Sequence, residues 1–402
     1  MKHNYFKIFT SLLLAIMLVV SLVACGSGET EEETTEAETT TAEAAADETE
    51  EETTEAEEDD TSTITFVDSV GRSVVIDRTT DKIAAFHGPS YNYCLFLGQS
   101  GRVVTCMTMN SWAEELTENA SGNVDSIEVT GGTVAEGLNV EELLEEGIGL
   151  IFYWPTKEDV LEECDSVGLT AVGIASNTDD NSATTMDEFI EMITGDANMY
   201  AEALGNGAED IAEEYYEYVS EKLHMVEDAL SGLTEDDIVD VYWMRSSDDG
   251  LQAFCAGSVA ESICNVTYGN LVTTDVSGSG NVQNVSTYTT VTMEQIYEWD
   301  PDVIILGRTN DPTIVEDNEQ WASISAVVND EIYLCPTGAF YWDNGPELVL
   351  TVMYIAQILH PECLEDLDMV EEIQYFYSEF YGYDLTEEQA GYILNCLGPD
   401  GE

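Results

Sequence analysis

Cations are the scarcest charged groups in this chain, so any that sits in an apolar setting stands out. Ten Lys and Arg face 82 Asp and Glu, a formal net charge of −72. Two arginines follow apolar runs that read as strands: Arg245 after IVDVYWM and Arg308 after DVIILG. A guanidinium at a strand exit suits a bidentate grip on a carboxylate or phosphate. It would serve equally well in a structural salt bridge with one of the many acids. Aromatic side chains gather at the other expected exits: Tyr91, Trp112, Tyr153, Trp154, Tyr341 and Trp342. Such rings give broad apolar walls with polar tips, suited to a flat or bulky small molecule. Tyr153, like Trp243, would alternatively alternate into a core. His87 leaves the run KIAAF, where it either ligates a metal centre carried by the ligand or acts as a hydrogen-bonding loop residue.

Catalytic signatures are absent. There is no GxSxG, no HExxH and no Walker-type phosphate loop, so an enzyme is not expected. Beyond the first residues only His87, His224 and His360 remain, widely spaced, and no CxxC pair occurs. That argues against a bare zinc or manganese site and against zinc ribbons. Neither a resident metal nor a cofactor is expected. The acidity excludes nucleic-acid binding, which needs basic side chains to neutralise phosphates.

The elements that would position these residues alternate. A hairpin, ITFVD (64–68) and SVVID (73–77), precedes KIAAF (82–86), the helix PSYNYCLFLG (89–98) and RVVTCM (102–107). VEELLEEG (140–147), IGLIFYW (148–154), KEDVLEECDSVG (157–168) and LTAVGI (169–174) continue as helix, strand, helix and strand. Continuous apolar strands between helices imply a parallel sheet covered on both faces. This predicts an N-terminal α/β lobe over 63–185. Linking helices follow over 186–232, with MDEFIEMI (186–193) and a long amphipathic helix at 208–230. A C-terminal α/β lobe with closing helices is expected over 233–402. Its helices include PELVLTVMYIAQILH (346–360), MVEEIQYFYSEFYGY (369–383) and TEEQAGYIL (386–394), while 267–291 reads as irregular.

The start of the chain has the form of an export leader (1–24). Lys2 and Lys7 precede an apolar run that is short of the roughly 20 residues a membrane span needs. Leu22-Val23-Ala24-Cys25 has the form of a lipobox, which makes Cys25 the expected lipidation site. The stretch 25–62 adds Gly26-Ser27-Gly28 and a Glu/Thr-rich run without aromatic or basic residues, expected to be a disordered acidic stalk. From these features the chain is expected on the extracytoplasmic face of the cell membrane, held by its lipid alone. Eight cysteines remain beyond Cys25. An even number outside the cytoplasm permits disulfides, but Cys94, Cys164, Cys264 and Cys396 stand at apolar helical positions, which favours free thiols.

The order of these segments resembles the ferric-siderophore and cobalamin class of substrate-binding proteins of ABC transporters, the class III periplasmic binding proteins. The resemblance is carried by ITFVDSVGRSVVID, PSYNYCLFLGQSGRVV, VEELLEEGIGLIFYW, MEQIYEWDPDVIILG, WASISAVVNDEIYLCP and the segment from ILHPECLED to YGYDLT. It implies two Rossmann-like α/β lobes with parallel sheets joined by one long interdomain helix. It further implies a monomer that captures an iron complex (siderophore or haem) or a corrinoid in the interlobe cleft and delivers it to a permease with ATPase subunits. The class carries a docking glutamate on its first N-lobe helix, where Asn92 stands here. A second belongs near Tyr268-Gly269-Asn270, which lacks it, with Glu261 nearby as a substitute. That departure keeps an alternative open: a surface scavenger or sensor on the same fold that never docks a permease.

Overall fold

The computed structural model describes residues 62–131, 137–174, 183–246, 248–276 and 287–402. The leader, Cys25 and the acidic stalk lie outside the described residues. An antiparallel hairpin of β1 (Thr63–Val67) and β2 (Ser73–Asp77) opens the fold. The N-terminal lobe follows with β3 (Ile83–Ala85), α1 (Ser90–Phe96), β4 (Val103–Cys106), α2 (Ser111–Ala120), β5 (Glu128–Val129), α3 (Val140–Glu146), β6 (Leu150–Tyr153), α4 (Glu158–Val167) and β7 (Ala171–Gly173). All five strands from β3 to β7 run parallel in the order β5-β4-β3-β6-β7. The strands β3, β6 and β7 are buried along their whole length, as a sheet with helices on both faces requires.

Two long helices come next, α5 (Met186–Leu204) and α6 (Ala208–Leu230). The second lobe contains β8 (Val239–Met244), β9 (Gln252–Phe254), α7 (Val259–Val266), β10 (Gly269–Leu271), β11 (Tyr288–Thr290), α8 (Met293–Trp299), β12 (Val303–Leu306), α9 (Thr313–Glu316), α10 (Ser325–Asn329) and β13 (Ile332–Leu334). Its sheet has the order β11-β9-β8-β12-β13, with β10 also paired to β8. The strands β8, β10, β12 and β13 are parallel, while β9 and β11 are antiparallel additions. The interval 267–291 is therefore not wholly irregular, since β10 and β11 lie in it. The chain closes with α11 (Leu348–Leu359), α12 (Met369–Tyr381) and α13 (Glu387–Leu394).

The long helix expected at 208–230 is α6, and α5 runs beside it in the opposite sense. Just before α5, the Ala183 amide donates to Ser262 Oγ of α7 at 3.1 Å, in the C-terminal lobe. At its far end the Leu204 carbonyl accepts from Arg102 Nη1 at 2.8 Å, in the N-terminal lobe. After the turn at 205–207, Arg78 pairs with Glu209, and α6 leads back to β8. Both helices thus span from one lobe to the other. The closing helices also cross: Trp112 Nε1 of α2 donates to the Leu397 carbonyl at 2.8 Å, and Tyr383 Oη donates to Glu115 at 2.9 Å.

One apolar core runs through these crossings. It includes Ile83 and Phe152 of the first sheet, Tyr200 and Tyr215 of the helix pair, Val241 and Ile305 of the second sheet, and Phe376 of α12. Each sheet keeps a separate outer cluster, Ala84, Ile151 and Tyr153 in one lobe and Tyr242, Met244 and Ile304 in the other. The strand period of two sends neighbours to opposite faces, and both faces are dry. Tyr153 and Trp243 are accordingly both fully buried. The eight described cysteines are free thiols. Burial pushes Cys94 and Cys106 up to about 12 and Cys164 up to about 11, which leaves little reactive thiolate at neutral pH.

Candidate functional site

In open α/β sheets a ligand site forms beyond the carboxyl ends of adjacent strands whose connections leave in opposite directions. Strand order puts that point between β3 and β6 in the first lobe and between β8 and β12 in the second. The first pair of exits carries His87 and Trp154; the second carries Arg245 and Arg308. The two sets come from chain segments far apart in sequence; the link between the lobes runs through Tyr341, which lies under the Arg308 guanidinium and lines a cavity with Gly88, the neighbour of His87.

His87 is 9% exposed, and burial lowers its pKa to about 4, so it is a neutral imidazole at physiological pH. Its Nδ1 lies 3.4 Å from the Tyr200 hydroxyl, and its ring meets Trp154 edge-on at 5.9 Å. Ser90 also reaches Tyr200, at 2.8 Å. These are hydrogen-bonding partners. Among the described residues no group of three or more His, Cys, Asp or Glu is arranged to hold a metal ion.

Arg308 sits in the left-handed backbone region, φ 54°, a conformation that costs a non-glycine residue energy and is kept where the surroundings demand it. Its Nε and Nη2 donate to Asp343 at 2.7 and 2.9 Å, a bidentate pair. The guanidinium lies 4.6 Å from the centre of the Tyr341 ring. Arg245 is differently placed. Its Nη1 donates to Gln252 at 3.3 Å and its guanidinium covers the Tyr288 ring at 4.3 Å. Among the described residues it has no ion pair. Desolvation and then the charge of Arg308 lower its pKa. Arg308 is therefore balanced by Asp343, whereas Arg245, of the two, has no ion pair of its own among the described residues.

A cavity of about 140 Å³ lies between the lobes, lined by Gly88, Tyr91, Asn92, Asn110 and Ala113 on one side and by Thr337, Ala339, Phe340 and Tyr341 on the other. A Cβ at Gly88 would lie 3.8 Å from the Phe340 ring, so the two walls almost touch there. Asn110 Nδ2 donates to the Gly338 carbonyl at 2.8 Å across the same gap. Of the aromatic candidates, Tyr91 and Tyr341 line this cavity. Tyr91 is buried and bonded to Thr117 Oγ1 at 2.5 Å; Tyr341 is exposed.

Three expectations are corrected. Trp112 is buried in α2, where its indole N–H anchors the chain's end at Leu397, so it forms no ligand wall. Trp342 is fully buried in the shared core. Tyr153 belongs to the outer cluster of the first lobe, and burial raises its hydroxyl to about 12. At the position where the resemblance implies a docking glutamate, Asn92 is buried, as is every residue of α1, so this helix presents no side chain to a partner. Sequence reasoning missed Asp343. Asn110 had a readable signal, since Asn followed by SWAEEL is a helix start, and its side chain caps α2 by accepting from the Ala113 amide at 2.8 Å.

No family model matches the sequence. The chain is 24% identical over 342 residues to the molybdate-binding protein MolA of Haemophilus influenzae, covering 81% of this chain and 90% of the relative. It is 20% identical over 307 residues to an uncharacterised ABC transporter substrate-binding lipoprotein, YvrC, of Bacillus subtilis, covering 75% and 87%. Among solved structures, a periplasmic solute-binding protein of Veillonella parvula superposes with a TM-score of 0.68 at 21% identity, over 84% of this chain and 98% of the other. MolA bound to molybdate superposes with a TM-score of 0.65 at 17% identity, over 80% and 99%. These relatives are solute-binding proteins, not enzymes.

Proposed function

We propose, for a chain that shares its fold and most of its length with class III solute-binding proteins of ABC transporters, that it is the extracytoplasmic capturing subunit of an importer and that its ligand is a compact anion. Cys25 is the proposed site of the lipid anchor, in keeping with the lipoprotein YvrC. The single observation that carries the choice of ligand is Arg245, a partly buried guanidinium without an ion pair among the described residues, set beside the neutral Arg308–Asp343 pair. Anions are repelled at long range by so acidic a chain, but salt screens that field beyond about 8–10 Å. Capture then depends on a local cation.

Size supports the same reading. Pockets for drug-sized ligands span about 300–1,000 Å³; the interlobe cavity, which Tyr341 beside Arg308 lines and Arg245 does not, has about 140 Å³. A tetrahedral oxyanion of the kind MolA is named for, or a small anionic chelate, suits that space; a corrinoid does not. A charge-assisted hydrogen bond contributes about 1.5–3 kcal/mol, a factor of about ten to a hundred in affinity. Calorimetric titration with molybdate, tungstate, sulfate and ferric citrate is expected to find a binder whose affinity falls at least about tenfold in Arg245→Gln. Equal affinity in the variant would move the site away from Arg245.

A further inference from the structure

We propose that Glu347 is the positioning residue of the interlobe cavity, its carboxylate tying the wall contributed by one lobe to the wall contributed by the other. The inference rests on the reading of that cavity as the ligand site. Glu347 stands at the start of α11 with no solvent exposure. Its Oε2 accepts from Asn92 Nδ2 of α1 at 2.8 Å. Its Oε1 accepts from the Ala339 amide at 3.0 Å and from the Tyr377 hydroxyl of α12 at 3.1 Å. Asn92 and Ala339 both line the cavity, from opposite lobes. The Tyr381 hydroxyl donates to Asn92 Oδ1 at 2.7 Å, which leaves the amide's N–H side for the carboxylate.

No cation balances this acid among the described residues. The titratable groups that feel it are Tyr93 of α1, Tyr215 of α6, and Tyr377 and Tyr381 of α12. Burial pushes its pKa up to about 7, against the hydrogen bonds from Asn92, Tyr377 and the backbone that favour the charged form. An unpaired buried carboxyl is unfavourable for folding, and an apolar side chain would fill the space at less cost. What an apolar side chain cannot do is accept from both lobes at once. The tie holds Asn92 and Ala339 at a set separation, and with it the width of the cavity.

Hydrogen exchange of the full ligand-free chain reads this directly, in Glu347→Gln and in Asn92→Ala. The second variant cuts the tie while leaving Glu347 its Ala339 and Tyr377 donors. Exchange is expected to rise about tenfold or more around Gly88, Asn110 and Ala339, since a charge-assisted bond is lost there. Rates in β6 and β8, beneath the outer clusters, are expected to hold. Unchanged wall exchange in both variants overturns the proposal. So does a rise that runs evenly through both lobes with a fall in melting temperature, the pattern of an ordinary core residue. If Glu347→Gln does not fold, Asn92→Ala decides alone. Titration of the same variants with molybdate as probe separates the two readings: wild type that binds none counts against the anion assignment, while the exchange result still decides the tie.

Discussion

At the scale of single residues, the two arginines that the sequence marks as chemically alike have different jobs. Both follow an apolar strand, and nothing local distinguishes them. Asp343 does, arriving from the loop after β13, 35 residues beyond Arg308. Its side chain is 1% exposed and that of Arg308 is 22% exposed. Removing one partner of a buried pair costs about 3–5 kcal/mol, and the partial exposure of Arg308 puts its loss at the low end. Arg308→Ala is therefore expected to lower the melting temperature of the ligand-free protein by several degrees, whereas Arg245→Gln leaves it nearly unchanged. Equal melting of Arg308→Ala and wild type would show that the pair is dispensable for the fold. The tryptophans were illegible for a similar reason. Trp112 looks like a loop aromatic until the Leu397 carbonyl, 285 residues on, takes its N–H.

At the scale of elements, long apolar runs were readable because a strand buried on both faces, or a helix with one apolar stripe, writes its period over many residues. The elements missed have two to five residues, as in β5, β9 and α10, or hide behind polar faces, as in α2. The run expected to stop at 193 continues to Leu204, because Ile193, Ala197, Tyr200 and Leu204 repeat at helical spacing on a buried face. Gly195, in mid-helix, masks that repeat without breaking it. It has open space where a Cβ would go, so Gly195→Ala is expected to stabilise by about 0.4–1 kcal/mol. Gly205, in the turn between α5 and α6, has φ 58° and ψ −150°, and a Cβ there would collide with the Arg78 guanidinium. Gly205→Ala is expected to destabilise by at least the about 1–3 kcal/mol of backbone strain. Thermal or denaturant unfolding checks the pair, and effects of the same sign would contradict the helix-pair geometry.

At the scale of the whole molecule, two α/β lobes share one core through α5, α6 and the closing helices, so the cleft is held from several sides. Such a frame resists wide opening, because the lobes cannot part without exposing common apolar surface. A cleft narrow before binding suits a small ligand whose recognition comes from one placed charge. We propose that this fold captures a compact anion through Arg245. Native mass spectrometry of the folded chain, purified without added ligand and then after incubation with molybdate, tests it most directly. One small anion per chain is expected, retained under gentle ionisation and lost in Arg245→Gln. A bound mass of corrinoid or haem size, or a neutral or cationic ligand held equally by wild type and Arg245→Gln, would contradict it.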